Sequence, residues 1–192
     1  KTIVDTIADR AKPTIDWLRT HGVEFEQPDE SLFVTSNRQR ILPVGGGLSI
    51  IENLLADARD AGVEVHFETT AEELVRDKRG EIEGLLTRGA DGDSELFEAE
   101  AVIIASGGFE GNPEMLSHHI DGEVTDLETI AVGGEFNKGE GIKMAMDVGA
   151  GTEGQFSHFH AEPYDPRADA PDPAIMAFPY GILVNKHGER FI

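Results

Sequence analysis

The chain has 192 residues, of which 39% are hydrophobic and 28% charged, a balance typical of a globular protein with its own core. Its 37 Asp and Glu outnumber 16 Lys and Arg, giving a formal net charge of −21. That balance argues against binding to nucleic acid or to an anionic membrane surface, since both need clustered positive charge. The absence of cysteine excludes disulfides, thiolate chemistry and Cys-ligated metal clusters.

Other features of the sequence bear on its context. No apolar run reaches membrane-spanning length, so a cytoplasmic location is expected. The chain begins at Lys1 rather than Met and stops at Phe191-Ile192 within an apolar pattern, which predicts an internal piece of a longer protein. A sheet interrupted in this way would expose an edge and apolar surface, so pairing with a second copy as a homodimer is a further expectation.

The first elements are predicted from helical spacing and glycine stops. A helical pattern covers residues 2–20, where Pro13 is expected to kink the helix or break it into two. Gly22 is expected to end it. Short strands are predicted over residues 23–25 and 32–34.

Three consecutive glycines, Gly45, Gly46 and Gly47, precede a second helical pattern that ends at Ala61-Gly62. They have two interpretations: a flexible connector, or backbone pressed against a cofactor. The second is favoured because the glycines stand at a helix N-terminus, where the dipole attracts anions. Residues 63–67 then alternate as a strand, with His66 on its polar, exposed side.

A β-meander is predicted next. Leu74 leads into a charged turn at residues 76–80, and two strand candidates over residues 81–87 and 95–104 are joined by an Asp-Gly turn. The second candidate ends in Val102-Ile103-Ile104, an apolar run typical of a strand buried on both faces of a parallel sheet.

That apolar run stops at Ser106-Gly107-Gly108, where the absence of Cβ atoms lets the backbone turn sharply or approach a ligand. Asn112 is the expected N-cap of a following helix, and a second, glycine-bounded helix is expected over residues 141–148. A strand, a glycine turn and a helix start place free N–H groups beside a sheet end, where anionic cofactors bind. By itself the pattern is typical of any α/β protein.

The histidines allow two kinds of chemistry. His118 and His119 are adjacent and point to different faces of a helix, so metal binding is not expected there. His158 and His160 project to one side if the chain is extended, with Glu162 nearby. Zinc would need a third clustered ligand; in the rival interpretation, one imidazole faces a substrate carboxylate. A proline-rich loop over residues 163–173 and a strand over residues 180–184 complete the chain.

Five blocks in order carry a family resemblance: GGGLSIIENLLADARDAGVEV, TTAEELVRDKRGEIEGL, EAEAVIIASGGFEGNPEML, GEGIKMAMDVGA and YGILVNKHGERFI. Together they resemble the FAD-dependent fumarate reductase and succinate dehydrogenase flavoprotein family. The GGGL, HAEPYD and PYGILVN segments are most similar to its tricarballylate-dehydrogenase-like branch.

The resemblance implies an α/β fold with α+β elements. Residues 1–154 would be the central part of a glutathione-reductase-type FAD-binding domain with a β-meander, lacking the N-terminal G-x-G-x-x-G unit. Residues 155–192 would be a linker and the beginning of a capping domain. The implied cofactor of the intact protein is FAD, and no metal is implied.

It also implies roles for individual residues. Gly45, Gly46 and Gly47 match a segment along the isoalloxazine and ribityl side of FAD, and the Leu74 backbone matches a position facing the adenine. Ser106, Gly107 and Gly108 match the last three residues of an A-T-G-G turn, with Ser where Thr is usual. Glu140 matches the acidic residue of a G-D-G motif. His160 matches a histidine that hydrogen-bonds a substrate carboxylate, whereas His158 has no match and is interpreted as structural.

The implied activity of the parent protein is hydride transfer between flavin N5 and a carbon of a small di- or tricarboxylate, such as fumarate, succinate or a tricarballylate-like acid. The chain alone is expected to be inactive. One rival is a ketosteroid-type flavin dehydrogenase, which shares the FAD domain, although the polar His-x-His segment favours a carboxylate. A second rival is a non-catalytic, self-associating module.

Overall fold

The computed structural model describes residues 2–27, 41–165, 167, 180–185 and 187–190. The strand predicted over residues 32–34 and most of the proline-rich loop lie outside the described residues. The chain divides into two compact units, Lys1–His66 and Phe67–Ile192. Each is described by itself below.

Helix α1, Ile3–Thr20, opens the first unit. Its N-terminus is held by a capping box, in which the Asp5 N–H donates to Thr2 Oγ1 at 3.3 Å and the Thr2 N–H to Asp5 Oδ2 at 3.2 Å. The predicted break at Pro13 is wrong, because the helix runs through the proline without interruption. Proline removes one N–H donor, and the turn that follows it is supported by ion pairs of Asp16 with Lys12 and Arg19.

Helix α1 ends as predicted, with Gly22 at a φ of +82°. A Cβ on Gly22 would lie 2.7 Å from Asn53 Oδ1, and the His21 ring pairs with Asp57, so the end of α1 lies against the second helix of the unit. Val23 is the most buried side chain there, at 2% exposure.

A short antiparallel pair and a second helix complete the unit. Strands β1, Phe25–Glu26, and β2, Leu42–Pro43, pair directly before helix α2, Gly46–Asp60. The strand predicted over residues 23–25 therefore begins two residues later. Ala61-Gly62 ends α2 as predicted.

The strand predicted over residues 63–67 is wrong. These residues form no strand, and Phe67 is 65% exposed. Alternating polarity becomes a strand only when a neighbour supplies the other half of the ladder, and no described strand pairs with this segment. His66 is exposed, as predicted.

The predicted β-meander is confirmed in the second unit. Strands β3, Thr69–Arg76, β4, Ile82–Gly89, and β5, Ser94–Glu98, form an antiparallel sheet in the order β3-β4-β5. The β3–β4 turn is held by Asp77, whose Oδ1 accepts the N–H groups of Arg79 at 2.8 Å and Glu81 at 3.0 Å. The Arg79 side chain is the main cause that lowers the pKa of the Asp77 carboxyl.

The segment Val102-Ile103-Ile104 does not form the predicted buried strand. Strand β5 ends at Glu98, and Ile103 is 91% exposed. A strand buried on both faces needs neighbours on both sides, whereas every strand pair in the part of the chain that the structure describes is antiparallel and lies elsewhere. The mixture of helix and strand is confirmed, and a parallel sheet is not observed among these residues.

Two helices predicted from their caps follow. Helix α3 is Pro113–His119 and helix α4 is Glu140–Asp147, with a 3₁₀ helix, Val132–Phe136, between them. The small core of this unit contains Leu74, Leu116, Val124 and Met144. Helix α4 contacts β3, so the meander and the α4 segment belong to one packed structure.

Candidate functional site

The candidate site is centred on the turn Ser106-Gly107-Gly108 and the N-terminus of α4. Gly107 has a φ of +80°, so the turn needs a residue without a Cβ at this position. A Cβ on Gly141, in the first turn of α4, would collide with Ser106 Oγ and Ile104 Cγ2. The hydroxyl of Ser106 therefore lies directly beside the start of the helix.

The start of α4 is glycine-led and has no side-chain cap. Gly139 is the N-cap residue at a φ of +81°, and Glu140 is the first helical residue, exposed to solvent. A carboxylate in the first turn is stabilised by the helix dipole. The fold thus brings together four of the predicted site residues, which are Ser106, Gly107, Gly108 and Glu140.

Leu74 lies in the same unit. Its side chain is buried at 7% exposure, and it belongs to β3, an edge strand of the meander. Along an edge strand, alternate residues point their N–H and C=O groups away from the sheet. Helix α4 contacts this strand.

Gly45, Gly46 and Gly47 lie in the first unit, at the start of α2. Gly45 is the N-cap residue with a φ of +83° and no side-chain cap bond, and Gly46 has a φ of +68°. Both conformations favour glycine. Gly47 differs, because its backbone is not left-handed and a Cβ there would have no atom within 4 Å. Neither packing nor backbone conformation explains a glycine at residue 47.

His160 and Glu162 form a pair. His160 Nε2 lies 2.9 Å from Glu162 Oε1, and the His160 side chain is 83% exposed. In the part of the chain that the structure describes, no group of three or more possible ligands is arranged to hold a metal. The zinc interpretation of the His-x-His segment therefore gains no support.

His158 lines a cavity of about 350 Å³ beside Gly108. The cavity walls are mainly apolar: Phe109, Leu116, Ile120, Ile142, Phe156 and Phe159. The sequence interpretation missed this cavity, because its walls come from α3, α4 and the segment after α4. The sequence signal that could have indicated the cavity was the regular spacing of Phe156, His158 and His160.

One wall of the cavity is an aromatic cluster. The rings of Phe109 and Phe156 stack with centroids 5.9 Å apart, and His119 lies 5.5 Å and 5.0 Å from them. His119 is therefore a packing residue. Among the described residues, no helix combines the length and apolar character needed to cross a membrane.

Solved structures share this fold. The open conformation of a flavocytochrome c3 fumarate reductase superimposes with a TM-score of 0.62 and 21% identity, covering 74% of this chain and 25% of that one. A 3-ketosteroid-Δ4-(5α)-dehydrogenase from Rhodococcus jostii RHA1 gives the same TM-score and identity, with 74% of this chain and 36% of that one covered. At this identity the likeness shows the fold alone.

The whole chain, residues 1–192, matches the FAD binding domain family. The protein belongs to that family, and its cofactor is FAD, as expected from the sequence.

Curated relatives extend the match. They include a urocanate reductase from Eggerthella lenta, 32% identical over 99% of this chain and 32% of its own length. A vinyl phenol reductase from Lactiplantibacillus plantarum is 27% identical over 96% of this chain and 38% of its own length. A fumarate reductase (cytochrome) from Shewanella frigidimarina is 24% identical over 99% of this chain and 33% of its own length. The chain spans about a third of the length of these relatives.

The residues present fit a flavin nucleotide. The starts of α2 and α4 both lack side-chain caps, so first-turn N–H groups are available to a ligand's phosphate or carbonyl oxygens. Among the residues that the structure describes, none has an atom within 4 Å of a Cβ position at Gly46 or Gly47. Ser106 adds a hydroxyl beside α4.

Proposed function

We propose that the protein containing this chain is an FAD-dependent oxidoreductase acting on the carbon–carbon bond of a small di- or tricarboxylate. The observation that carries the proposal is the Ser106-Gly107-Gly108 turn beside the uncapped start of α4, in a chain of the FAD binding domain family. The reaction class is supported by relatives named fumarate reductase, urocanate reductase and NADH:acrylate oxidoreductase. The proposed substrates are fumarate, succinate or a tricarballylate-like acid.

Under this proposal the glycine-led helix starts hold the cofactor. Gly45, Gly46 and Gly47 provide backbone N–H groups along the isoalloxazine and ribityl side, and the Leu74 main chain faces the adenine. Ser106, Gly107, Gly108 and Glu140 would form the second set of residues that hold the cofactor, with the Ser106 hydroxyl and the Glu140 carboxylate as its hydrogen-bonding side chains. Bound FAD supplies the capacity to accept and return a hydride.

His160 is the proposed substrate ligand. Its Nε2 pairs with Glu162, which leaves Nδ1 for a substrate carboxylate. Both ring nitrogens donate only in the imidazolium form, so a His160 that bonds Glu162 and a substrate carboxylate together is protonated. The imidazolium then orients the substrate and draws electron density from the carbon that receives a hydride.

The chain alone is proposed to turn over no substrate. His160 is 83% exposed, so a carboxylate bound there would remain in water. Electrostatic activation of a substrate is strong only where water is excluded.

The decisive experiment compares FAD retention by the wild-type chain and the variant Gly47→Ala after desalting, followed by the flavin absorbance. Alanine at residue 47 meets no protein atom and favours helix by about 1 kcal/mol over glycine. A variant that is as stable as wild type, or more so, and yet retains less flavin would show that a ligand occupies this space. Gly151→Ala is the matched control, since a Cβ there also has no neighbour within 4 Å.

Equal flavin retention by Gly47→Ala would remove residue 47 from the site, and no retention by wild type would contradict cofactor binding by this chain. In the enzyme containing this chain, His160→Ala should raise KM and lower kcat for a carboxylate substrate, and an unaltered kcat/KM would contradict the role of His160.

A ketosteroid-type flavin dehydrogenase is the second candidate. It is favoured by the apolar cavity beside Gly108. Oxidation of a ketosteroid without any reduction of fumarate-like acids would establish this candidate.

A self-associating module is the remaining alternative. A molecular mass in solution that increases with protein concentration, without flavin binding, would support it.

A further inference from the structure

We propose that Asn137, paired with Glu110, is a positioning residue that holds the Ser106-Gly107-Gly108 turn in its FAD-binding conformation. The inference rests on the proposed function and adds two residues that lie outside the glycine turn itself. Neither residue was a candidate from the sequence. The two side chains contact each other beside the glycines of the turn.

The side chains of Asn137 and Glu110 form one hydrogen-bonded unit. Asn137 Nδ2 donates to Glu110 Oε1 at 2.6 Å. This short bond joins an amide donor to a charged acceptor, the stronger kind of side-chain hydrogen bond. Asn137 is half-buried, whereas Glu110 is exposed.

This pair occupies the space that side chains on the two glycines would need. A Cβ on Gly107 would lie 2.8 Å from Asn137 Oδ1 and 2.9 Å from its Nδ2. A Cβ on Gly108 would lie 2.8 Å from Glu110 Oε2. The glycines of the turn are therefore packed directly against the Asn137–Glu110 pair, which fixes one side of the turn.

The main chain of Asn137 provides the second attachment. Its carbonyl accepts the Gly111 N–H at 2.8 Å, and its N–H donates to the Gly134 carbonyl at 3.0 Å. Close by, Asn112 Nδ2 donates to the Lys138 carbonyl at 2.7 Å. The main chain is thus held by hydrogen bonds at residue 137 and at the next residue, Lys138.

Asn137 also stands two residues before Gly139, the N-cap of α4. A shift of Asn137 would therefore displace the turn and the helix start together. Both are proposed to contact FAD, so a single residue couples the two halves of this contact. Asparagine suits the position because its amide group offers a donor to Glu110, whereas an aspartate would offer only acceptors.

The test is a double-mutant cycle on the full chain. Asn137→Asp places two carboxylates at hydrogen-bond distance and should weaken FAD binding by about tenfold or more, the factor that corresponds to one hydrogen bond to a charged group. Combining it with Glu110→Gln restores a donor–acceptor pair in the opposite sense, so the double variant should recover most of the FAD affinity. Glu110→Gln alone should have a small effect.

Asn185→Asp is the matched control. Asn185 Nδ2 also donates to a glutamate, Glu189 Oε2 at 3.0 Å, within a turn of the same unit. This variant introduces the same change of charge beside a carboxylate, and it should leave FAD affinity unchanged. A similar loss in both variants would attribute the effect to charge alone and overturn the inference.

Amide exchange supplies a readout that does not need the cofactor. In the absence of FAD, the Gly111 amide should exchange faster in Asn137→Asp and return toward the wild-type rate in the double variant. If wild type binds no FAD, the proposed function fails, and this exchange measurement decides alone whether the pair holds the turn. If wild type binds FAD and Asn137→Asp binds it equally well, the inference is wrong and the proposed function stands.

Discussion

The hydroxyl oxygen of Ser106 occupies the place where a side chain on residue 141 would begin. A Cβ on Gly141 would collide with this oxygen and with Ile104 Cγ2. Gly141 is buried in the first turn of α4, so a Cβ there would have to displace the Ser106 and Ile104 side chains. The glycine is therefore required for the close approach of the turn to the helix.

Replacing Gly141 with Ala should destabilise the chain, because the added methyl group must force the turn and α4 apart. The expected loss is about 1–3 kcal/mol of unfolding free energy, typical of overpacking. Urea unfolding measures it, with Gly151→Ala as the control, since a Cβ at residue 151 meets nothing within 4 Å. A Gly141→Ala variant as stable as the control would contradict the contact.

Asn112 has two separable tasks. Its Oδ1 accepts the N–H groups of Glu114 and Met115, each at 3.1 Å, and its Nδ2 donates to the Lys138 carbonyl. Asn112→Asp keeps the cap and loses the donor, whereas Asn112→Ala loses both. We expect a loss of about 0.5–2 kcal/mol from the cap in the alanine variant, and a smaller loss in the aspartate variant. Equal losses in chemical unfolding would show that the cap contributes nothing.

Gly84 lies in β4, the central strand of the meander, where a Cβ would collide with the Phe97 carbonyl oxygen and approach Leu96 Cδ1 to 3.2 Å. Gly84→Ala should therefore separate β4 from β5 locally, at a cost of about 1–3 kcal/mol. Amide exchange should accelerate in β4 and β5 more than in α3. Uniform exchange across the unit would argue against a local effect.

Asp165 should titrate well below the usual range of an aspartate. Hydrogen bonds from the Arg167 side chain, at 2.9 Å to each oxygen, are the main cause that lowers the pKa of Asp165 from 3.8 to about 2. Because the folded value is depressed, this pair stabilises the fold fully above about pH 4, and the contribution is lost as the pH falls through about 2.

Carboxyl NMR measures this titration directly. Arg167→Gln should return the Asp165 midpoint toward 3.8. Arg79→Gln is the control, because it removes the hydrogen bonds from Arg79 to Asp77 and should raise the pKa of Asp77 without moving the Asp165 midpoint. An Asp165 midpoint near 3.8 in the wild-type chain would refute the pairing.

Elements with local signals were predictable from the sequence. The N-cap Asn112, the glycine stops at residues 22 and 62, and the turns of the meander depend on residues a few positions apart, and the structure confirms each of them. Local sequence patterns gave wrong strand predictions where pairing with another strand decides the structure. Residues 63–67 and 102–104 have the composition of strands, but a strand also needs a partner.

The candidate site was predictable only in part, for a related reason. Glycines reveal a need for space or for an unusual backbone, so Gly107 and Gly108 were identifiable. The residues that fill this space, Glu110 and Asn137, were not identifiable, because they are 27 positions apart in the sequence and neither residue type is distinctive. The cavity lined by His158 likewise arises from segments that meet only in the fold.

The three glycines at the start of α2 carry different constraints, and this difference can be read by selection experiments. In a saturation library selected for folding alone, residues 45 and 46 should remain almost entirely glycine, because their φ values of +83° and +68° exclude most side chains. Residue 47 should accept many substitutions in that library. Under selection for flavin capture, tolerance at residue 47 should disappear, so this one position separates the requirements of the fold from those of the ligand.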